Sequence, residues 1–369
     1  MMRFKLLLGI VMISLSSFAA TVEKDTTAEK GTVKYWDASH LTLVNRIQPD
    51  APLFQRLDET KYSGVTPTVK RYFTYSTGIA IAFRTDSRNI YARWKTKAEK
   101  PGVNMTLIAQ TGLDLYIRHN GRWVFAGVGT PGHTLTHQSP IVEHMDNSLK
   151  ECLLYLPLFD KVENLEIGID KDASLEASPV PFHHKIVVVG SSITHGASAA
   201  RSGMAYPARL NRSLGFEFPN LGVSGQCKLD SFLAYIVADT EADAFVFDVF
   251  SNPSPAQIEE RLEKFVAIIR EKHPDTPLVF LQTEVRDSGM FNRKIAKYES
   301  DKRRAAEAGI RNLKRLGYKH LYFINPAMEL GDDHLATVDG VHPSDLGFER
   351  ILDKLEPQLV KILHKCKID

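Results

Sequence analysis

Cysteine is scarce in this chain of 369 residues, which has only Cys152, Cys227 and Cys366. The three are far apart and odd in number, so they exclude a scaffold built on disulfides, and no Cys-x-x-Cys spacing indicates a metal or redox site. At most one disulfide can form among them. Half-buried free thiols are the simpler expectation.

An excess of charge is also absent. The 46 lysines and arginines nearly balance the 44 aspartates and glutamates, which gives a formal net charge of +2, and no basic block stands out. Nucleic acid is therefore not an expected partner. Repeats and low-complexity tracts are missing as well, and 43% hydrophobic and 24% charged residues are ordinary for a globular protein.

Long apolar runs are missing after the N-terminus, where no stretch reaches about 18 consecutive apolar residues, the length of a membrane-spanning helix. The N-terminus itself, MMRFKLLLGIVMISLSSFAA, has two basic residues, an apolar run from Leu6 to Leu15 and then small residues. This pattern predicts a signal peptide over residues 1–19, cleaved after Ala19. We therefore expect a secreted or periplasmic protein with no membrane contact in its mature form; an uncleaved anchor is the alternative.

The first half of the chain, residues 32–178, has the pattern of short β-strands. Segments such as RYFTYSTGIAIAFRT and ECLLYLPLF are rich in β-branched and aromatic residues, and turn residues separate them. Asn120–Gly121, between LYIRH and RWVFAG, is a strong hairpin signal. No long segment of 3.6-residue periodicity interrupts this region, which predicts an antiparallel, jelly-roll-like β-sandwich.

After the linker ASPVPFHH the pattern changes, and over residues 184–369 apolar strands alternate with helices. The predicted strands are KIVVV, FEFPNLG, AFVFDVF, PLVFLQTE and HLYFIN, and the predicted helices lie near Met204–Leu214, Lys228–Ala238, Pro255–Lys272, Ser300–Leu316 and Ser344–His364. This alternation predicts a doubly wound α/β domain with a parallel sheet. In such sheets ligands bind outside the carboxyl ends of the strands.

Polar residues with catalytic chemistry follow the predicted strands at that edge. Ser192 follows the first strand, Gly225 the second and Asn252 the third, and Asp339 and His342 lie in DGVHPSD before the last helix. A serine hydroxyl needs a base such as histidine to become a nucleophile, and the histidine needs an acid that holds its tautomer. The pattern therefore predicts acyl transfer with a serine of the turn, Ser191 or Ser192, as nucleophile, His342 as base and Asp339 as the orienting acid.

The same edge offers donors for the oxyanion of a tetrahedral intermediate. They are the backbone N–H groups of Ser192 and Gly225 and the side-chain amide of Asn252, each typically worth about 3 kcal/mol of barrier. Ordinary turn residues are the alternative interpretation of Gly225 and Asn252. Ser191 is a competing nucleophile, although local hydrogen bonding at the turn is its expected role.

Four blocks, VVVGSSITHG, NLGVSGQ, FDVFSNPSP and DGVHPSDLG, resemble the SGNH (GDSL-type) hydrolase superfamily in order and spacing. Residue by residue, the resemblance implies Ser192 as nucleophile, His342 as base, Asp339 as acid, and Gly225 and Asn252 as oxyanion donors. Two positions depart from the common pattern, because Ser191 replaces the usual aspartate and Phe250 replaces a glycine. The Gly-x-Ser-x-Gly elbow of α/β-hydrolases is absent, since position 194 is threonine.

The segment TGLDLYIR resembles the Gly-x-Asp-Leu-Tyr domain that precedes one bacterial branch of this superfamily. That branch resembles two-domain carbohydrate esterases, so the resemblance implies an exported serine esterase that removes acetyl groups from a glycan. It implies no cofactor and no metal. A lipid or aryl esterase of the same mechanism, or an inactive glycan-binding protein, are the alternatives.

Four further side chains are candidates for substrate binding. His195 could line the mouth of the cleft, and Asp114 could reach the active site, face the domain interface or stabilise a hairpin. Glu284 and Arg286 follow the fourth strand of the second half and could bind sugar hydroxyls or a carboxylate, or pair with each other at the surface. The two histidines of HTLTH lie on a β-like segment, which does not predict a metal site.

Overall fold

The computed structural model describes residues 32–97 and 102–369. The predicted signal peptide, residues 1–19, lies outside the described residues. Within the described ranges, no helix combines the length and apolar character needed to cross a bilayer. The three cysteines are free thiols, two of them buried and Cys366 half-buried.

The N-terminal half is a sandwich of two antiparallel sheets. One sheet has the order β1-β9-β4-β7 and the other β10-β3-β8-β5-β6, with β2 paired to β3. The strands are β1 Val33–Asp37, β2 Thr42–Val44, β3 Ala80–Thr85, β4 Ile90–Thr96, β5 Leu113–His119, β6 Arg122–Gly129, β7 Thr136–Val142, β8 Lys150–Tyr155, β9 Val162–Asp170 and β10 Leu175–Ala177. The predicted sandwich is confirmed.

Apolar side chains from both sheets form the core of the sandwich, among them Phe83, Trp94 and Ile167. The hairpin between β5 and β6 turns at Asn120 and Gly121, whose φ angles are 50° and 77°. Two successive positive φ angles are what a type I′ turn requires, and Asn-Gly supplies them at little cost. The hairpin therefore forms where the sequence predicted it.

The second sheet of the sandwich is buried on both faces along β3, β8 and the first half of β5, whereas β6 is largely exposed. Its outer face, which carries Ala80, Leu153 and Tyr155, packs against Phe182 of the linker and Ala208 of the C-terminal half. This explains why β3 and β8 are almost continuously apolar and not alternating, since a strand covered on both sides has no solvent face.

The C-terminal half is the predicted doubly wound α/β domain. Its five parallel strands have the order β12-β11-β13-β14-β15, so β11 lies between β12 and β13. The strands are β11 Ile186–Gly190, β12 Asn220–Gly222, β13 Ala244–Asp248, β14 Leu278–Leu281 and β15 Leu321–Ile324; the helices are α3 Ser192–His195, α4 Tyr206–Leu214, α5 Ser231–Ala238, α6 Pro255–Lys272, α7 Arg293–Arg315 and α8 Asp345–Lys365.

Two hydrophobic layers cover the parallel sheet. Helices α5, α6 and α7 pack on one face and α4 and α8 on the other. Helix α7 begins two turns before the predicted Ser300, because Asn292 caps it by accepting hydrogen bonds from Lys294 N and Ile295 N. Those first turns are mostly charged and exposed, so they carry little apolar periodicity that would reveal a helix.

Two helices interrupt the N-terminal half, contrary to the sequence prediction of a region without them. Helix α1 spans Pro67–Thr74 and α2 spans Leu107–Thr111. Both are too short to show a clear 3.6-residue period. In α1, Val69 and Phe73 pack into the hydrophobic layer of the C-terminal domain and not into the sandwich. Part of the range 32–178 therefore serves the neighbouring domain.

Arg56 joins this segment to the open edge of β12. Its side chain is buried, and its guanidinium donates hydrogen bonds to Asn220 O at 3.1 Å, to Gly222 O at 2.7 Å and to Tyr72 O. Burial lowers the pKa of Arg56 to about 9, but the group keeps its charge at neutral pH. One cation thus satisfies carbonyl groups of an edge strand that has no further strand beside it.

Replacing Arg56 with methionine is expected to lower the free energy of unfolding by about 3 kcal/mol or more, because three carbonyl groups lose their donor in a buried site. Urea denaturation measures the change. The matched control is Arg122→Met on the exposed part of β6, which should change stability by less than about 0.5 kcal/mol. Equal small effects of the two substitutions would show that the Arg56 contacts do not support the fold.

Candidate active site

Ser192 lies where β11 ends and α3 begins. Ser191 caps the short helix, since its Oγ accepts a hydrogen bond from Ile193 N at 3.3 Å, and Gly196 ends it with a φ of 98°. Ser191 is therefore occupied at the turn, as expected, and Ser192 is the residue whose hydroxyl faces the predicted base. Ser192 is 6% exposed, which is enough for its hydroxyl to meet a ligand at the edge of the sheet.

A hydrogen-bonded relay connects the three predicted triad residues. Ser192 Oγ lies 2.9 Å from His342 Nε2, and His342 Nδ1 lies 2.8 Å from Asp339 Oδ2. Because an ionised carboxylate only accepts, Nδ1 carries the proton of the neutral imidazole and Nε2 is left to accept from the serine hydroxyl. This is the tautomer that a general base needs.

The Asp339 carboxylate is fixed by its own loop. Its Oδ1 accepts hydrogen bonds from His342 N at 2.8 Å and from Val341 N at 3.1 Å. Partial burial alone would raise the pKa of Asp339, but the backbone and side-chain hydrogen bonds from His342 outweigh it and lower the pKa to about 2. The group is therefore a carboxylate near neutral pH.

The three loops that carry the predicted oxyanion donors are tied together. Since β11 lies between β12 and β13, the turn at Ser192 has the Gly225 loop on one side and the Asn252 loop on the other. Val223 N donates to Gly190 O at 2.9 Å, and Cys227 N donates to Asn252 Oδ1 at 3.3 Å. With its Oδ1 held in this way, Asn252 has its Nδ2 amide available to a ligand.

Gly225 has a backbone conformation that favours glycine, with a φ of 68° and no atom within 4 Å of where a Cβ would lie. A side chain there would be strained although the space is open. Gly225 is also exposed. Its N–H group can thus approach a bound molecule closely, which agrees with the role that the sequence predicted.

Thr194 lies where the Gly-x-Ser-x-Gly elbow of α/β-hydrolases has its second glycine, and its hydroxyl has a structural role there. Its Oγ1 donates to Asp248 Oδ2 at 2.8 Å and lies 2.8 Å from the Tyr206 hydroxyl. A Cβ on Gly190 would lie only 2.0 Å from this Oγ1, so the turn requires its glycine at position 190.

Asp248, which accepts from Thr194, is a buried acid. Burial, with the nearby Glu284, raises the pKa of Asp248 well above its usual value, which favours the neutral acid. Sequence reasoning missed Asp248, which reads as part of a strand.

His195 does not line the mouth of the cleft, and the sequence expectation is corrected here. Its side chain is fully buried, with Nε2 2.9 Å from Leu158 O and 3.0 Å from Thr77 Oγ1. The ring stacks on Phe159 at a centroid distance of 3.8 Å. Burial lowers the pKa of His195 well below its ordinary value, so the ring is a neutral part of the interface between the two domains.

Asp114 also belongs to the domain interface, one of the alternatives that the sequence left open. It is fully buried, and it accepts hydrogen bonds from Gly203 N at 2.7 Å and from Arg201 Nε at 3.2 Å. Burial raises the pKa of Asp114 to about 6 even though Arg201 opposes the shift. A Cβ on Gly203 would lie 2.5 Å from the Tyr116 ring, so the two residues of the motif fit closely against a glycine.

Glu284 and Arg286 pair with each other as one alternative proposed, but they do so in the interior and bind a neighbouring loop. Glu284 is fully buried; its Oε1 accepts from Ser251 Oγ at 3.1 Å and lies 3.4 Å from Arg286 Nε. Arg286 Nη2 donates to Ser251 O at 3.0 Å. The expected contact of Glu284 with substrate is therefore corrected, whereas the Arg286 side chain stays 22% exposed; both residues hold Ser251, which precedes Asn252.

Lys302, on the charge-rich helix α7, completes this group of charges. Its Nζ donates to Ser251 O at 2.9 Å and lies 2.6 Å from Glu299 Oε2. The exposed fractions of the two side chains are 0% and 4%. Two cations, Lys302 and Arg286, thus hold the carbonyl group next to Asn252, the predicted oxyanion donor. A buried lysine in a charge-rich helix gives no sequence signal that separates it from its exposed neighbours.

Among residues 32–97 and 102–369, no group of three or more histidine, cysteine, aspartate or glutamate side chains has the arrangement of a metal site. The chemistry that the site offers is that of a nucleophile, a base, an acid and hydrogen-bond donors. All of these groups come from the chain itself.

Both halves of the chain match families of known proteins. Residues 183–360 match the GDSL-like lipase/acylhydrolase family, and residues 33–175 match the GxDLY model, the N-terminus of SGNH-hydrolase-type esterases. A structure from Bacteroides ovatus ATCC 8483, assigned as a GDSL-like lipase, is 47% identical and covers 90% of this chain and 98% of its own, with a TM-score of 0.88. The chain belongs to the GDSL-like lipase/acylhydrolase family. As a member it is an SGNH-type esterase, which confirms the resemblance found in its motifs.

More distant structures share the fold. The salicylyl-acyltransferase SsfX3 from a tetracycline biosynthetic pathway is 20% identical over 90% of this chain and 98% of its own, with a TM-score of 0.71. A family two carbohydrate esterase from Cellvibrio japonicus is 14% identical over the same shares, with a TM-score of 0.58. A search of curated proteins finds no match.

Replacing Asp339 with asparagine is expected to lower kcat on 4-nitrophenyl acetate by roughly 10³-fold or more. The new Oδ1 can still accept from the two backbone N–H groups, which leaves an NH₂ group facing His342 Nδ1. The imidazole must then accept at Nδ1 and loses its ability to accept from Ser192. Asp353→Asn, on the exposed face of α8, is the matched control and should keep the parent kcat. A decrease in kcat of less than tenfold in Asp339→Asn would contradict the role of Asp339 as the orienting acid.

Replacing Lys302 with methionine is expected to lower the free energy of unfolding by about 3 kcal/mol, because Glu299 stays buried after losing a cation. Lys297→Met, on the same helix but with a side chain 77% exposed, should cost less than about 1 kcal/mol. Urea denaturation of the two variants tests the difference. Similar values would mean that Lys302 is solvated and that the buried group does not hold the Ser251 carbonyl.

Proposed function

We propose that this chain is a serine esterase that removes acetyl groups from a carbohydrate, with Ser192, His342 and Asp339 as its catalytic triad. The relay from Ser192 Oγ to His342 Nε2 at 2.9 Å and from His342 Nδ1 to Asp339 Oδ2 at 2.8 Å carries the proposal. This relay supports the proposal because acyl transfer by a serine needs a nucleophile, a base and an orienting acid in this order.

The reaction proceeds in two halves. Ser192 Oγ attacks the ester carbonyl carbon while its proton passes to His342 Nε2, and Asp339 stabilises the imidazolium. The oxyanion is held by the backbone N–H groups of Ser192 and Gly225 and by the Asn252 amide. The intermediate expels the alcohol, which takes the proton from His342, and leaves an acyl-enzyme. Water then attacks the acyl group with His342 as base, and the carboxylic acid leaves.

The carbohydrate part of the proposal draws on related two-domain proteins. The family two carbohydrate esterase from Clostridium thermocellum, solved in complex with cellohexaose, has a TM-score of 0.57 and covers 79% of this chain. The Cellvibrio japonicus enzyme covers 90%. A likeness over so much of the chain must include most of the sandwich as well as the catalytic domain, which supports a saccharide ester as the substrate class.

A lipid or aryl ester is the second candidate. The Bacteroides ovatus protein at 47% identity is assigned as a lipase. In addition, Val103 beside Asn104, Val338 beside Asp339 and Val285 beside Glu284 are all more than half exposed. Such side chains next to the catalytic loops suit an apolar acyl or aryl group.

We also propose that the enzyme is secreted or periplasmic. This proposal rests on the N-terminal sequence alone.

Release of acetate from acetylated polysaccharides tests the proposal. The mature chain is expected to release acetate from at least one of them and to cleave 4-nitrophenyl acetate faster than the octanoate, and Ser192→Ala should lose at least roughly 10⁴-fold of either activity. Ser191→Ala is the matched control for the neighbouring hydroxyl.

Cleavage of the octanoate without release from any glycan would replace the carbohydrate substrate with a lipid or aryl ester. Full activity in Ser192→Ala would contradict the triad. Binding to a glycan without hydrolysis of any ester would leave the inactive glycan-binding protein as the function.

A further inference from the structure

The β-sandwich domain reaches the triad through one side chain. Asn104 lies in the segment 102–106 just before α2, and its Nδ2 is 3.0 Å from Asp339 Oδ2 and 3.2 Å from His342 Nδ1. These contacts join residues that are 235 and 238 positions apart in the sequence. No motif singled out Asn104, because its importance depends on which distant loop it meets.

The chemistry of the partners fixes the direction of these hydrogen bonds. A carboxylate only accepts, so the group of Asn104 that faces Asp339 must be the NH₂ group and not the carbonyl oxygen. His342 Nδ1 carries a proton of its own, so it cannot accept from Asn104. Both N–H groups therefore converge on the same Oδ2 of Asp339, and the 3.2 Å distance is the packing of two donors beside one acceptor.

With Asn104 included, Asp339 accepts four hydrogen bonds. Val341 N and His342 N donate to Oδ1, and His342 Nδ1 and Asn104 Nδ2 donate to Oδ2. An ionised carboxylate has about four lone-pair sites, so its capacity is filled. Three of these donors come from the loop of Asp339 itself, whereas the fourth comes from the other domain and restrains the carboxylate from outside its loop.

The segment that carries Asn104 is anchored on both sides. Ser198 Oγ donates to Asn104 O at 3.0 Å, and Thr106 Oγ1 donates to Ala200 O at 2.6 Å. Gly102 N donates to Gln110 Oε1 at 3.0 Å within the sandwich domain. Residues 198–200 follow α3, which begins with the nucleophile. The same segment therefore contacts the acid directly and the chain that follows the nucleophile.

We propose that Asn104 is a positioning residue of the triad, supplied by the β-sandwich domain; this inference rests on the proposed function. Its amide holds the Asp339 carboxylate beside His342 Nδ1 and withdraws part of the charge from Oδ2. Asn104 touches neither the ester nor the serine hydroxyl. Asn104 therefore acts on the reaction through Asp339 and His342. Its substitution should change kcat and the protonation of His342 and leave substrate binding unchanged.

Two substitutions at position 104 separate positioning from structure. Asn104→Asp replaces the donor with a carboxylate that repels Asp339, and the added negative charge makes this group of side chains retain a proton to higher pH, so the acidic limb of the kcat/KM profile should move up by about 1 pH unit. Asn104→Leu keeps the size of the side chain without its donor, and kcat should fall roughly tenfold while KM changes less than about twofold. Asp287 and Asp345, the other carboxylates bonded to neighbouring loops, are the same in every variant.

Asn164 provides matched controls, because it lies exposed on β9 of the sheet that faces away from the catalytic domain. Asn164→Asp and Asn164→Leu should leave both the pH profile and kcat as in the parent protein. An acidic limb in Asn104→Asp within about 0.2 pH units of that in Asn164→Asp would overturn the inference. A loss of stability in Asn104→Leu with full kcat would also overturn it, since the role would then be structural.

A measurement without a substrate keeps this inference distinct from the proposed function. NMR titration of histidine labelled with ¹⁵N, with the His342 signals assigned by their loss in His342→Gln, reports the protonation of this ring directly. If the parent protein cleaves no ester and a fluorophosphonate does not label Ser192, the proposed function fails. Asn104→Asp must still raise the midpoint of His342 by about 1 pH unit; an unchanged midpoint would show that the contact is absent.

Discussion

Burial of the second sandwich sheet on both of its faces is the constraint on which the rest of the structure depends. One face closes the sandwich, and the other packs on Phe182 and Ala208 and bonds Gly203 and Arg201 through Asp114, so the two domains share an interface of apolar and buried polar contacts. Protein interiors are close-packed and transmit small displacements. The interface therefore fixes the position of the segment 102–106 relative to the catalytic loops, which a flexible linker between independent domains would not do.

The Gly-x-Asp-Leu-Tyr motif can be understood from this interface. Successive side chains of β5 point to opposite faces of the sheet. Leu113 and Leu115 enter the sandwich core, whereas Asp114 and Tyr116 face the catalytic domain, where they meet Gly203 and its neighbours. The motif glycine, Gly112, has a Cβ position only 2.6 Å from Ile108 O, so a side chain there would displace α2. The motif thus describes a strand that is buried on both faces, one in the sandwich core and the other against the catalytic domain.

How much could be predicted from sequence depended on whether the signal was local. Helix α6 was predicted with its observed bounds, because Ser254, Pro255 and Gln257 form a capping box with a proline in the first turn. The triad was predicted because strand ends of a parallel sheet meet at one edge, and the structure brings its three side chains within hydrogen-bonding distance.

The failures involve side chains whose partners lie far away in the sequence. Charged residues are mostly exposed, so the alternative to substrate binding paired Glu284 and Arg286 at the surface, and nothing in the sequence singled out Lys302. Each is explained by the Ser251 carbonyl or hydroxyl that it holds. Asn104 gave no signal for the same reason.

The way in which Arg56 closes the edge of β12 has a consequence for the evolution of this protein. An open edge strand invites pairing with other chains unless something covers it, and here the cover is a side chain from the N-terminal half together with α1. The catalytic half consequently depends on its neighbour for the closure of its sheet. Recombination that transferred this half alone to an unrelated protein would deliver a sheet with an unprotected edge, which favours inheritance of the two halves together.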